Sequence, residues 1–213
     1  MPQKPSTVAI ATDSLDKSVS LRDRKKRRTH NRILVEAARL FGEQGYDPTT
    51  MDAIADAAEI SRPTLFNYFE GKSGILAALV ARMDEACVYY VSQAMVKLPD
   101  TRTRLRSFMT ESASYLQSHR ELTQLLLSAG MSSVLDAGLN NTRLTQLNAA
   151  ISELVTLGRN EGDITRQAAT ELQVQSIVGT YFYGLLQWLS EPESDLVKRM
   201  ALTSEYLADT LAS

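Results

Sequence analysis

Residues 49–76 read TTMDAIADAAEISRPTLFNYFEGKSGIL. Thr50 is a good helix N-cap, and Asp52 in the following turn favours the helix dipole. Ile54, Ala55 and Ala58 then form the inner face of a short helix. Glu59-Ile60 makes a tight connection. Ser61 caps a further helix with Pro63 in its first turn, where a missing N–H costs nothing. Leu65 and Phe69 fall on one face at i and i+4, and the opposite side carries Arg62, Thr64 and Asn67. The pattern predicts that this helix ends at Glu70-Gly71. Two short helices joined by a few residues, with small alanines at their crossing, read as a helix-turn-helix.

Working outward, a longer helix precedes the pair. Its inner positions are Ile33, Leu34, Ala37, Ala38 and Phe41. Gly42 and Gly45 stop it and Asp47-Pro48 turns the chain. This helix supplies the third wall of a small core. Just upstream, Arg22, Arg24, Lys25, Lys26, Arg27, Arg28 and Arg32 place seven basic residues in an eleven-residue window, against Asp23 alone. A charge run by itself is an ordinary solvated surface. Beside a folded reading element it becomes a nucleic-acid signal. The net charge of −2 hides this asymmetry, since residues 1–72 sum to +2 and residues 73–213 to −4.

The segment Thr49 to Leu76 resembles the DNA-binding signature of TetR/AcrR transcriptional regulators. Thr50, Ile54, Ala55, Ala58, Ser61, Thr64, Leu65, Phe69, Lys72 and Leu76 all stand where that family's pattern has them. The preceding RILVEAARLFGEQGYDPTT resembles the family's first helix and its Gly-Tyr turn. The likeness covers about Arg28 to Leu79. Three positions depart from the pattern. Glu59 replaces the usual turn glycine, and left-handed backbone there would cost on the order of 1–2 kcal/mol. Phe66 replaces a tyrosine, and Tyr68 replaces a common histidine.

The resemblance implies a DNA-binding role for this face. Arg62, Thr64 and Asn67 would reach base edges, Arg favouring guanine and Asn favouring adenine. Phe66 would touch a thymine methyl and Pro63 would pack against the groove. Thr50, Tyr68 and Lys72 would bind phosphates, with Ser61 at the start of the reading helix. Arg27 and Arg28, in the basic run, would add salt-sensitive backbone contacts, in the minor groove where they reach it.

The rest of the chain reads as helix throughout. A long stripe runs from Ile75 through Leu79, Val80, Met83, Cys87, Val91 and Met95 to Leu98 and stops at Pro99. Further helices are predicted over Thr103–Ser118, Glu121–Leu127, Thr142–Arg159, Arg166–Leu189 and Asp195–Leu211, with SAGMSSVLDAGLNN as a looser stretch. The fold class is all-α with about nine helices. The expected organisation is a flexible, basic-ended arm over 1–23, a helix-turn-helix domain over 24–72, and a helical effector-binding and dimerisation domain over 73–213.

Arg166–Leu189 is apolar on more than one side, and such surplus suggests a second contact. Gly179 and Gly184 would allow close helix approach. The family resemblance implies that the last two helices pair with their copies in a four-helix homodimer interface. The residues assigned to it are Val178, Phe182, Leu185, Leu189, Met200 and Leu207. Soft and aromatic residues suit an adaptable apolar pocket. Met83, Cys87, Tyr90, Phe108, Met109, Ser112, Tyr115 and Tyr181 are its candidate lining. No carboxylate clearly falls on these stripes, so the favoured effector is a small, neutral, apolar molecule.

Composition narrows the alternatives. Apolar residues are 44% and charged residues 23%, as in ordinary globular chains. No run approaches the roughly 18 uninterrupted apolar residues of a membrane span. No signal-peptide core is seen in Met1 to Lys17, so a cytoplasmic location is expected. One cysteine, Cys87, allows neither an internal disulfide nor a cysteine-based zinc site. His30 and His119 have no recognisable catalytic partner motif, and no HExxH, phosphate loop or GxSxG occurs. No metal, cofactor or catalytic residue is assigned. The expected function is a dimeric, ligand-responsive repressor that binds a palindromic operator on double-stranded DNA. A helical protein–protein adaptor, or an enzyme, remains the alternative, and salt-dependent duplex binding separates the regulator from both.

Overall fold

The computed structural model describes residues 20–137 and 142–212. Among them are nine helices: α1 Leu21–Gln44, α2 Met51–Ala57, α3 Arg62–Phe66, α4 Lys72–Lys97, α5 Thr101–Ser118, α6 Arg120–Ala137, α7 Thr142–Glu161, α8 Thr170–Ser190 and α9 Leu196–Leu211. The described residues hold no strand, only an isolated bridge between Ile164 and Ala212.

Capping residues start five of these helices. Ser20, Thr50, Ser61, Asp100 and Asp195 each accept the N–H three residues on through a side-chain oxygen. That satisfies one of the donors a helix start leaves open. Proline-containing α3 is the shortest of the nine. It ends at Phe66 rather than at Glu70-Gly71, because Asn67 and Tyr68 already turn back on Pro63, Thr64 and Leu65.

Glu59 has φ 51°, in the left-handed region. Its N–H reaches the Asp56 carbonyl, and the Ile60 N–H reaches Ala55. This pair of bonds is a Schellman closure with glutamate where glycine is usual. The Arg32 ion pair to Glu59, at 3.4 Å between largely exposed groups, offsets little of the backbone cost. Glu59→Gly is therefore expected to raise head stability by about 1 kcal/mol. Urea unfolding checks this: a lower midpoint for the glycine variant would contradict it.

Two boundaries differ from the sequence expectation. α1 begins at Leu21, so Leu21–Asp23, expected to end the arm, are helical and continuous with the rest of the basic run. Residues 1–19 of the expected arm lie outside the described residues. α6 continues past Leu127 to Ala137, through most of the stretch expected to be loose; residues 138–141 lie outside the described residues. Leu122, Leu126, Leu127 and Gly130 are buried at helical spacing, and this tertiary packing outweighs the poor propensity of Ser and Gly.

Two packed regions share α4. In the head, Ile33, Leu34, Ala37 and Phe41 of α1 meet Ile54, Ala55 and Ala58, then Leu65 and Phe69. Ile75 and Leu79 of α4 close that core. In the body, α4 packs against α5, α6 and α7, α5 lies along α9, and α8 lies between α7 and α9. α4 spans 26 residues, about 39 Å at ~1.5 Å per residue, so one rigid element enters both regions.

Polar clamps fix the corners of the body. Nearly buried Arg104 donates to both Glu161 carboxylate oxygens and to the Leu98 and Pro99 carbonyls, locking the α4–α5 corner to the end of α7. Arg120 donates to the Trp188 and Leu189 carbonyls at 2.8 and 3.0 Å and stacks over the Trp188 ring. Gln117 accepts from the first N–H groups of α9. The α5–α6 corner thus holds the end of α8 and the start of α9.

Candidate nucleic-acid interface, effector core and outer helix face

The two helices of the reading element present a compact polar surface. Ser61 Oγ lies 2.8 Å from Thr64 Oγ1 and accepts the Thr64 N–H, which fixes both side chains at the start of α3. Arg62, Pro63, Phe66 and Asn67 are exposed and Thr64 is half-buried. The Arg62 guanidinium sits 5.6 Å from the Phe66 ring centroid and pairs with Asp52 of α2 at 3.1 Å. That pair is more than half exposed on both sides, so water and salt weaken it and it yields readily to a competing acceptor. Thr50 is exposed but its hydroxyl oxygen is committed as the α2 cap. Tyr68 is half-buried beside His30, with ring centroids 6.4 Å apart. Burial, and then the charge of Arg82, hold His30 below its usual pKa.

Lys72, expected to bind a phosphate, is also anchored on its own chain. Its ammonium donates to the carbonyls of Tyr46 at 2.8 Å and Asp47 at 3.0 Å, and lies 4.6 Å from the Tyr46 ring centroid. It therefore ties the start of α4 to the turn between α1 and α2. Two of its three donor protons are engaged; one is left for an outside acceptor. Lys72→Ala is expected to lower head stability by about 1–2 kcal/mol, from the lost charged hydrogen bonds and the ring contact. A thermal melt followed at the head decides: an unchanged melt with weakened DNA binding would return Lys72 to a pure phosphate role.

The expected effector residues divide. Phe108, Met109, Ser112 and Tyr181 are fully buried, and Met83 nearly so. Tyr181 donates to Ser112 Oγ at 3.1 Å, lies 4.0 Å from Cys87 Sγ, and packs its ring 5.0 Å from Phe108. Burial pushes the Tyr181 phenol well above its usual pKa, so it remains a neutral hydrogen-bonding group. Cys87 and Tyr90 are half-buried on the same side of α4. Tyr115 does not join them. It is exposed and stacks on His119 at 4.8 Å, one turn past Ser112 and rotated off the core.

Of the six residues assigned to a dimer interface, four turn inward. Met200, Leu185, Leu207 and Val178 are buried inside the chain's own core, and Phe182 and Leu189 are half-buried against it. Gly184 also serves the interior: a Cβ there would lie 2.9 Å from Met200 Cε. The outer face of α8 is instead Leu172, Ser176, Gly179, Tyr183 and Leu186, spaced 4-3-4-3. On α9 it is Leu202 and Tyr206. The five large apolar residues of this face are 45–67% exposed. This spacing was visible in the sequence, but Ser176 and Gly179 hid it from a reading that looked for bulk.

Residues 33–79 match the profile of the bacterial regulatory proteins of the tetR family. The repressor KstR of Rhodococcus jostii is 27% identical over 96% of this chain and 92% of its own length. The head is thus similar to the DNA-binding region of tetR-family regulators. The regulator TcmR of Streptomyces glaucescens is 38% identical, but over 36% of this chain and 34% of its own length, so that relative is matched across only about a third. Among solved structures, the transcriptional regulator FadR from Bacillus subtilis in complex with stearoyl-CoA covers 85% of this chain and 99% of its own at TM-score 0.65 and 19% identity. The SmeT–triclosan complex covers 87% and 92% at TM-score 0.66 and 23% identity. These likenesses show a shared fold over the body as well as the head. No described helix is long and apolar enough to cross a membrane.

Proposed function

We propose that this chain is a TetR-family transcriptional regulator, a ligand-responsive repressor that binds a near-palindromic operator as a homodimer and is released by a small apolar effector. The observation that carries the reading is the α2–α3 surface. Arg62 and Asn67 stand exposed at the two ends of a five-residue helix whose inner face is fixed by Leu65. Phosphates would be held around them by Thr50, Tyr68, the third proton of Lys72, and Arg27 and Arg28 of α1. Ser61 and Thr64 set the start of the helix, while Pro63 and Phe66 offer apolar contact to the groove.

The repressor sense is supported by the full-length likeness to KstR, itself named a repressor. The apolar effector is supported by the Met83, Phe108, Met109 and Tyr181 core. It is also supported by the neighbours whose structures hold stearoyl-CoA or triclosan. Tyr181 and Ser112 would give such a ligand one polar point of contact. The dimer is supported by the outer α8–α9 face, with Leu172, Tyr183, Leu186, Leu202 and Tyr206 as its residues in place of the four inward-facing ones. α4 couples these parts: a ligand favouring one tilt of it would change the separation of the two α3 helices. For a coupling of ~1–3 kcal/mol, DNA and effector would weaken each other about 5–150-fold.

The test is selection of genomic duplex fragments by the purified chain, followed by titration of apolar ligands. The expected result is a shared near-palindrome with half-sites one helical turn, ~34–36 Å, or a multiple of it apart. Recovery of unrelated fragments, or a DNA affinity unmoved at saturating ligand, would defeat the operator or the switch respectively.

A further inference from the structure

α4 is held at its two ends and loosely between them. At its start Ile75, Leu79, Val80 and Met83 are buried, and towards its end Val91 and Ala94. All seven residues between, Asp84–Tyr90, are half-buried or exposed. A tightly packed helix buries a residue at every third or fourth position, so two turns of α4 lie outside tight packing. The far end is fastened by more than apolar contact. The Arg104 side chain is 5% exposed. It donates through Nε to the Leu98 carbonyl at 3.0 Å and through Nη2 to the Pro99 carbonyl at 3.2 Å. The same guanidinium reaches both carboxylate oxygens of Glu161 at the end of α7. Its charge stands at the negative end of the α4 dipole, where a cation is favourable. Thr101 adds a second fastening. Its N–H donates to Asp163 at 2.8 Å, and a Cβ on Gly158 of α7 would run into its hydroxyl.

A helix fastened at one end and loose in the middle is a lever with a fixed pivot. Tyr90 and Cys87 lie eight and eleven residues from Leu98, about 12 and 16 Å at ~1.5 Å per residue, and Lys72 lies about 39 Å away. A shift of α4 beside Cys87 and Tyr90 is therefore magnified roughly two- to threefold at the head. A tilt of ~5° about the pivot moves the head by ~3 Å, about the rise of one base pair. Small errors in the angle of α4 are thus errors in operator spacing. We propose that Arg104 is a positioning residue for operator recognition: its clamp on Leu98, Pro99 and Glu161 fixes the angle of α4, and so holds the separation of the two α3 helices in the dimer to within about one base pair. The proposal rests on the regulator reading above and deepens it, since it places the fixed end of the lever in residues that contact neither DNA nor effector. Arginine is suited to this place. Its planar fork serves two carbonyls and a carboxylate together, whereas lysine offers the charge without the fork.

The test uses the full chain and two variants. Arg104→Lys keeps the charge and loses the fork. Glu161→Ala frees α7 and leaves the guanidinium on its two carbonyls; Glu161 is partly exposed, so the fold is retained. Met200→Ala, which disturbs the body between α8 and α9, is the control for lost stability alone. The probe is the duplex recovered by genomic selection, with copies that have one base pair inserted or removed between the half-sites, and a duplex with a single half-site. In the unmodified chain and in Met200→Ala, each altered copy is expected to bind about tenfold or more weakly than the parent, because both heads no longer engage together. In Arg104→Lys and Glu161→Ala, parent and copies are expected to differ by less than about threefold, with single half-site affinity unchanged. Sedimentation checks that both remain dimers. A spacing preference retained in both pivot variants overturns the proposal, as does an unmodified chain indifferent to spacing. Equal loss of preference in Met200→Ala, or pivot variants that have become monomers, overturns it too. If selection with the unmodified chain recovers no shared duplex, it is the regulator reading that fails.

Discussion

A chain carrying Tyr183→Arg and Leu186→Arg is expected to be monomeric at micromolar concentration, with helical content unchanged. It is expected to lose about 10²–10⁴-fold in affinity for an operator with two half-sites. Both side chains point away from the core, at 66% and 45% exposure, so charging them leaves internal packing alone. In a two-fold interface each surface meets its own copy, and four added cations face one another. One small reading head buries little DNA, so tight binding depends on two heads held at a fixed separation. The same variant should therefore keep its weak affinity for a single half-site. Sedimentation and fluorescence anisotropy together decide the matter. A persistent dimer would move the interface off this face; a monomer that still binds the full operator tightly would remove the need for it. Met200→Ala is the contrasting change. Met200 is fully buried beneath α8, so its truncation should cost about 2–5 kcal/mol of stability instead of changing the oligomer.

That contrast also marks what could be read from the chain beforehand. The head was legible because its boundaries are chemical. Thr50 and Ser61 are cap residues, Pro63 tolerates only a first turn, and Ile54, Ala55, Ala58 and Leu65 have no other face to bury. The body was legible as helices but not in rotational phase. α8 carries apolar residues nearly all round, and a helix of that kind does not reveal which side meets its own chain. The core took the tightest-fitting set, with Trp188, Tyr181 and Ile177 fully or nearly fully buried, and left a stripe containing serine and glycine outside. Lys72 shows a second limit. Its partners are main-chain carbonyls of Tyr46 and Asp47, and carbonyls have no signature in sequence. The Arg120 clamp on Trp188 went unread for the same reason. The charge of the basic run is plain in the sequence, but its helical state is not, since propensity favours helix there while repulsion opposes it.

Arg62→Ala and Asn67→Ala are each expected to weaken operator binding by about 1–3 kcal/mol, some 5–150-fold, and to relax preference at one position per half-site. Neither should alter folding, because both side chains are exposed at the ends of α3. Arg62 carries a further consequence. In the free protein it is held by Asp52 at 3.1 Å and lies over Phe66. This arrangement pre-positions the guanidinium over the apolar ring, at little electrostatic cost to its later release. A guanine edge offers two acceptors in one plane and competes with a single exposed carboxylate contact. Asp52→Asn should accordingly leave operator preference intact. It should raise affinity for all duplexes modestly, by removing a negative charge from a surface that approaches phosphates. The three variants move in different ways: Arg62→Ala and Asn67→Ala change the base preferred, whereas Asp52→Asn changes only the common affinity. Binding to the selected operator and to single-base variants of it measures both quantities at one salt concentration. Unchanged preference in both Arg62→Ala and Asn67→Ala would remove α3 as the reading helix. A preference altered by Asp52→Asn would mean that the carboxylate itself contacts a base, cytosine being the one that offers a donor in the major groove.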